Sequence, residues 1–161
     1  MKIIKLLDEK LEEYFLAVTL TVSVLLIFLQ VIMRYVFSNS LSWTEELARY
    51  LFLWQIWVGA AYAVKRDKHL KADIIRPLIP KDKHFYLDLV ATIIWIAFSI
   101  FLTYKSSELV SKIIQMKQVS AALRLPMKYA YTSIPVGCGL MAIRLIQKTY
   151  IDYKQRKVGG I

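Results

Sequence analysis

Residues 42–73, SWTEELARYLFLWQIWVGAAYAVKRDKHLKAD, decide how the rest of the chain is read. The stretch opens with two adjacent carboxylates, Glu45 and Glu46, followed by Arg49. It then runs through the mostly apolar positions 47–64 and leaves through a basic exit containing His69. Ser42 with Glu45 three positions later has the S-x-x-E spacing of a capping box, so a helix is expected to begin there with negative charge at its positive end. The run 47–64 suits a short membrane-spanning helix. A plain anchor needs neither carboxylates at its start nor the Gly59-Ala60-Ala61 triplet in its middle, so these features point to a specific partner.

Composition agrees with a membrane setting. Of 161 residues, 57% are apolar and 21% charged, and the mean hydropathy is +0.45; the apolar residues come in long runs, the pattern of a polytopic, all-α integral membrane protein. We expect a single membrane domain over residues 1–161. The net charge of +10 comes from 22 Lys and Arg against 12 Asp and Glu. Most of the basic residues lie between the apolar runs, where they set topology and meet anionic lipid head groups, so nucleic acid is not called for. Cys138 is the only cysteine, which rules out an internal disulfide and thiol-pair redox chemistry.

Four spans follow, at about 14–36, 47–64, 85–104 and 129–146. The segment before the first, residues 1–13, has Ile3, Ile4, Leu7 and Leu11 near helical spacing and is expected to lie at the membrane surface. It lacks the features of a cleaved signal peptide, so the first helix is expected to be retained. The first span would rise roughly 34 Å against a hydrocarbon core of ~30 Å. Beyond the third span the helical pattern continues through Leu109, Ile113 and Met116, with Glu108 and Lys112 as an i,i+4 pair, so this helix is expected to be extended by an amphipathic segment. Pro126 is placed to start the last helix, and Pro135 within it should kink it. Gly59 with Ala63, and Ser133 with Gly137, are small-xxx-small pairs that allow close helix approach, either within the chain or to a partner.

With four spans, the amino end, the 65–83 loop and the tail share one side. That side carries Lys2, Lys5, Lys10, Lys65, Arg66, Lys68, Lys71, Arg76, Lys81, Lys83, Arg144, Lys148, Lys154, Arg156 and Lys157. The other carries Arg34, Arg49, Lys105, Lys112, Lys117, Arg124 and Lys128. The basic majority predicts that both termini are cytoplasmic.

No catalytic constellation is visible. His69 and His84 both fall in the loop region, where they cannot ligate a haem between helices, and neither a phosphate-cradling Gly-rich loop nor an HExxH spacing occurs. We expect no enzyme activity, no metal and no cofactor. The central turns of the spans hold no ionisable residue, Gln30 and Gln55 being the most polar near depth, which argues against an independent permease. What remains is Arg34, Glu45, Glu46 and Arg49 near the outer face. They are expected to pair, fixing the first two helices in a V and leaving a carboxylate for a partner; solvated, unpaired interfacial charges are the alternative. His69 reads as a loop anchor or, less simply, a proton sensor. Trp43 reads as an aromatic-belt residue, and Trp54 and Trp57 as packing surfaces.

In order and spacing, the chain resembles the small membrane subunit of tripartite ATP-independent periplasmic (TRAP) transporters, the Q-type or DctQ-like component. The residues that carry the resemblance are Trp43, Glu45, Glu46 and Arg49, then Trp54 and Gly59-Ala60, then Arg66, His69 and Asp73. The later LRLPMKYAYTSIPVG, with Pro126, Pro135 and Gly137, and LMAIRLI after it, are similar to the family's last helix. The resemblance implies a bacterial or archaeal cytoplasmic-membrane protein paired with a large membrane subunit and a soluble periplasmic substrate-binding protein. In that family the large subunit holds the ion and substrate sites and moves cargo by an elevator-like motion, and the small one braces its scaffold. Sodium or proton gradients drive uptake of an organic acid such as a C4-dicarboxylate, a sialic acid or another sugar acid. The competing reading is an independent small multidrug-type permease acting as a homodimer. It would need a membrane-embedded acid, for which Glu12 or Glu13 is the nearest substitute.

Overall fold

The structure, a computed structural model, describes residues 2–65, 80 and 84–158. Five helices account for most of them: α1 Lys2–Tyr35, α2 Ser42–Lys65, α3 His84–Gln115, the four-residue α4 Lys128–Tyr131 and α5 Ser133–Val158. The helices form a row rather than a closed bundle. Helix α2 lies between α1 and α5, and α3 flanks the far side of α5, giving the spatial order α1–α2–α5–α3.

The outer helices show how a membrane fold inverts the polarity of a soluble one. On α1, the residues that are not exposed over the described length recur as Glu12, Leu16, Thr19, Ser23, Leu26, Gln30 and Met33, with Ile32 beside the last. That 3.5-residue spacing is a narrow seam of the coiled-coil kind. Around it, Phe15, Val18, Leu25, Ile27 and Phe28 are exposed. On α3 the corresponding seam is Thr92, Ile96, Ser99, Thr103, Ser106, Val110 and Ile113, with Ile93, Ile94, Phe98 and Phe101 outside. Small hydroxyl residues suit such seams because they let backbones approach and satisfy themselves on their own helix. Ser23 Oγ donates to the Thr19 carbonyl at 2.8 Å, Ser99 Oγ to Trp95 at 2.7 Å and Thr103 Oγ1 to Ser99 at 2.8 Å. Aliphatic side chains facing outward meet lipid at no cost, whereas in water such a surface would aggregate.

Among the described residues, three helical stretches are long and apolar enough to cross a membrane: Lys10–Tyr35, Leu87–Gln115 and Lys128–Ile151. Helix α2 is not among them. Trp43, Arg49, Trp54, Gln55 and Trp57 lower its hydropathy, and it can carry them because it has protein on both flanks. The core sits at its junction with α5, where Ala61, Val64, Met141 and Leu145 are buried and Ala60, Trp95, Ile96 and Leu140 pack against them. Closest approach falls at Gly137. A Cβ there would lie 2.5 Å from Trp57 Cβ and 2.7 Å from the Trp57 backbone, so only glycine fits.

Several sequence expectations are corrected in detail. No break separates the lead-in 1–13 from the first span; α1 is one helix from Lys2 to Tyr35. The extension of the third helix is as expected from its pattern: α3 runs unbroken to Gln115, past the apolar limit at Tyr104. Pro135 breaks the last span near its start, where a kink within it was expected. It lies in the first turn of α5, where its missing N–H leaves the Tyr131 carbonyl without an i+4 donor, and the helix is interrupted just there, at Thr132. Pro126 belongs to the preceding connection: it pairs with Val119 in an isolated antiparallel bridge, and α4 starts two residues later.

Candidate functional site

Side-chain chemistry collects at the two ends of the row and along the α1–α2 seam. At the end holding the α1–α2 turn, Thr44 N and Thr44 Oγ1 both bond the Leu41 carbonyl, at 3.1 and 2.7 Å. Ser42 is therefore already helical, and the capping box does not form. Glu45 turns instead toward α1, accepting from Gln30 Nε2 at 3.0 Å and from Arg49 Nη2 at 3.3 Å. Helix geometry explains why Gln30 rather than Arg34 makes the link: the seam passes through Gln30 and Met33, and Arg34 falls one position off it, exposed. The expected pairing of Arg34 with the two carboxylates is thus corrected to an α1–α2 tie through Gln30.

Glu46 is not left over for a partner. Its Oε2 accepts the backbone N–H groups of Ala122 and Leu123, both at 2.8 Å. These amides belong to the α3–α4 connection, a small hairpin in which Ser120 N bonds Leu125 O at 2.9 Å and Met127 N bonds Gln118 O at 3.0 Å. Lys117 and Arg124 turn this hairpin in left-handed backbone, with φ of 50° and 53°. The Leu123 amide above all, helped by Ala122, Ser120 and Ala121, holds the Glu46 carboxyl below its ordinary range. A half-buried carboxylate thereby pins the hairpin onto the start of α2.

Along the seam, Gln55 Nε2 donates to Ser23 Oγ at 2.9 Å. On the other flank, Trp54 Nε1 donates to the Tyr129 carbonyl at 2.9 Å, tying α2 to α4. At the opposite end, Arg144 on α5 forms an ion pair with Glu12 on α1. The two side chains are only 11% and 14% exposed. Beside them, Tyr62 Oη on α2 donates to Glu13 Oε2 at 3.2 Å. The hydrogen bonds thus cross from α1 to both inner helices.

Of the residues singled out from sequence, Trp43 is exposed at the α1–α2 corner, and Gly59 faces Leu16 of α1 with room for a Cβ, at 3.8 Å. Ala60 packs on the α2–α5 core and Ala63 lies beside it, partly buried. Arg66, His69 and Asp73 lie outside the described residues. Among the described residues, no group of three or more His, Cys, Asp or Glu is placed to hold a metal. The Glu12–Arg144 pair was missed by sequence reasoning, although the two opposite charges stood at the same predicted depth on the same side, and that coincidence is the signal that could have found it. The Glu46 contact had no such signal.

The profile of the family described as the DctQ component of tripartite ATP-independent periplasmic transporters matches residues 23–154. Among related proteins, the chain is 28% identical over 147 residues to the isethionate TRAP transporter permease protein DctMQ of Oleidesulfovibrio alaskensis, with 88% of this chain and 23% of that protein covered. It is 27% identical over 161 residues to the C4-dicarboxylate TRAP transporter small permease protein DctQ of Vibrio cholerae, covering 86% of this chain and 69% of that one. A TRAP transporter small permease protein of Haemophilus influenzae is 33% identical over 111 residues, 69% of this chain and 67% of its own length.

Proposed function

Because this chain belongs to the DctQ-component family of tripartite ATP-independent periplasmic transporters and is a multi-pass protein of the bacterial inner membrane, we propose that it is the non-catalytic small permease subunit of such a transporter. In this reading it braces the fixed scaffold of a large membrane subunit during ion-gradient-driven uptake. The observation that carries the reading is the fate of the polar groups at depth. Ser23 and Gln55 bond each other, and Gln30 bonds Glu45; polar side chains spent on holding helices together are what a brace requires. A small multidrug-type homodimer would need an unengaged membrane-embedded acid, whereas Glu12 is paired with Arg144 and Glu13 accepts from Tyr62.

Four spans with both termini cytoplasmic complete the proposal. Helix α2 counts as a span because it sits between α1 and α5, and its polar content suits an inner position. Cargo is an organic anion: the names of two relatives specify isethionate and a C4-dicarboxylate, and a sialic acid or other sugar acid belongs to the same class. A periplasmic binding protein would deliver it. The testing experiment is reconstitution in liposomes. Gradient-coupled organic-acid uptake is expected only when this chain, the large subunit and the binding protein are present together, and uptake by the chain alone would sink the reading. Cysteine labelling on a Cys138→Ala background should place Asn39→Cys outside and Lys154→Cys inside.

A further inference from the structure

The Glu12–Arg144 pair joins two helices that are not neighbours in the row, since α2 stands between α1 and α5. At the level of the pair, α2 is built from Gly59, Ala60, Ala61, Tyr62, Ala63 and Val64. Three contacts fix that level. Gly59 lies against Leu16, one turn from Glu12. Tyr62 bonds Glu13, the neighbour of Glu12. Ala61 and Val64 pack with Met141 and Leu145, which bracket Arg144. An arginine reaching from α5 to α1 must pass beside this segment, and a bulky side chain on its path would block it. We propose that the small side chains of Ala60 and Ala63 leave a passage for the Arg144 side chain, rather than a seat for a helix of another subunit.

Gly59 takes no part in this passage, because a Cβ there would meet only Leu16, at ordinary contact distance. The Arg144 guanidinium on α5 meets a carboxylate on α1, a helix that is not its neighbour in the row, and that contact needs an open path. An uncompensated charge at this depth is costly, so the path is under constraint along its whole length.

The test is an epistasis measurement on the full chain in detergent, read as the midpoint of thermal unfolding. Ala60→Leu and Ala63→Leu are placed in the wild-type chain and in the Glu12→Leu/Arg144→Leu double variant. The passage predicts that at least one of them lowers the midpoint in wild type by roughly 5–10 °C, as expected for displacing a buried charge pair, and by much less in the double variant. Where a replacement abolishes accumulation in the membrane, recovery of the chain in the double background reads the same way. Equal losses in both backgrounds, or no loss in wild type, overturn the proposal. Full stability with loss of co-purification with the large subunit also overturns it, in favour of a partner contact. The reading of the chain as a transporter subunit stands or falls separately, because no partner is needed for the unfolding measurement.

Discussion

The two ends of the helix row use carboxylates in opposite ways. At the α1–α2 turn, Glu45 and Glu46 meet an amide side chain, an exposed arginine one turn away and two backbone N–H groups. At the other end, Glu12 meets a full opposite charge out of water. Solvent decides the difference. A carboxylate that is exposed, as Glu45 is, or half-buried, as Glu46 is, retains much of its hydration, so modest donors suffice and an ion pair adds little. A buried one loses that hydration and is tolerable only with a charged partner in place, which makes the pair fragile to loss of either member. The end with the α1–α2 turn is therefore adjustable, and the opposite end is a lock.

The largest expected effect breaks the lock on one side. Arg144→Leu removes the guanidinium that the buried Glu12 meets and should cost about 3–5 kcal/mol in a chemical-denaturation measurement in micelles, whereas Glu12→Leu/Arg144→Leu should recover most of that loss. Equal losses for the single and double variants would mean that the pair is not a lock. Between the two ends lies the point where α2 and α5 touch, and Gly137→Ala probes it. The added methyl must push Trp57 and its backbone aside, an overpacking cost of about 1–3 kcal/mol. Because it changes no charge, its effect should be the same at pH 5 and pH 8.

How much of this could be read from the chain follows the same division. The polar-inside seams were partly legible, since Gln30 and Gln55 stand out in otherwise apolar runs, and periodicity places them on faces. Which residue answers each was not, because Ser23 looks like any helical serine until α2 is laid beside it. The extension of α3 to Gln115 was legible from Leu109, Ile113 and the Glu108–Lys112 pair, whose ammonium and carboxylate lie 3.1 Å apart. The Arg34 pairing failed because a turn of helix separates residues that look adjacent in a list of charges. The Glu46 contact was illegible in principle: its partners are backbone amides 76 and 77 positions away, and a backbone N–H has no letter in the sequence.

At the adjustable end the expected effects are smaller. Glu45→Ala removes the Gln30 bond and the Arg49 pair, and should cost about 1 kcal/mol in the same denaturation measurement. Arg34→Gln touches no partner and should stay within about 0.5 kcal/mol of wild type; a larger loss would restore the original pairing and dissolve the contrast between Gln30 and Arg34.

Glu46 gives the subtlest prediction, because it separates the two ends by pH rather than by mutation. Its carboxyl is held below the ordinary value of 4.5 by the hairpin amides, so the charged form is the one the folded state favours. A depressed pKa contributes stability that is present above the unfolded value and is lost as pH falls through the folded one. The hairpin should therefore be unaffected from neutrality down to about pH 5 and loosen only below 4.5, seen as faster protease cleavage at Arg124 using an acid-active enzyme or as exchange of the Ala122 and Leu123 amides. Glu46→Gln keeps an acceptor oxygen but no charge, and should abolish that pH step while leaving the hairpin weakly held at every pH. If the step persists in Glu46→Gln, another group governs the hairpin, and the end with the α1–α2 turn is not set by this carboxylate.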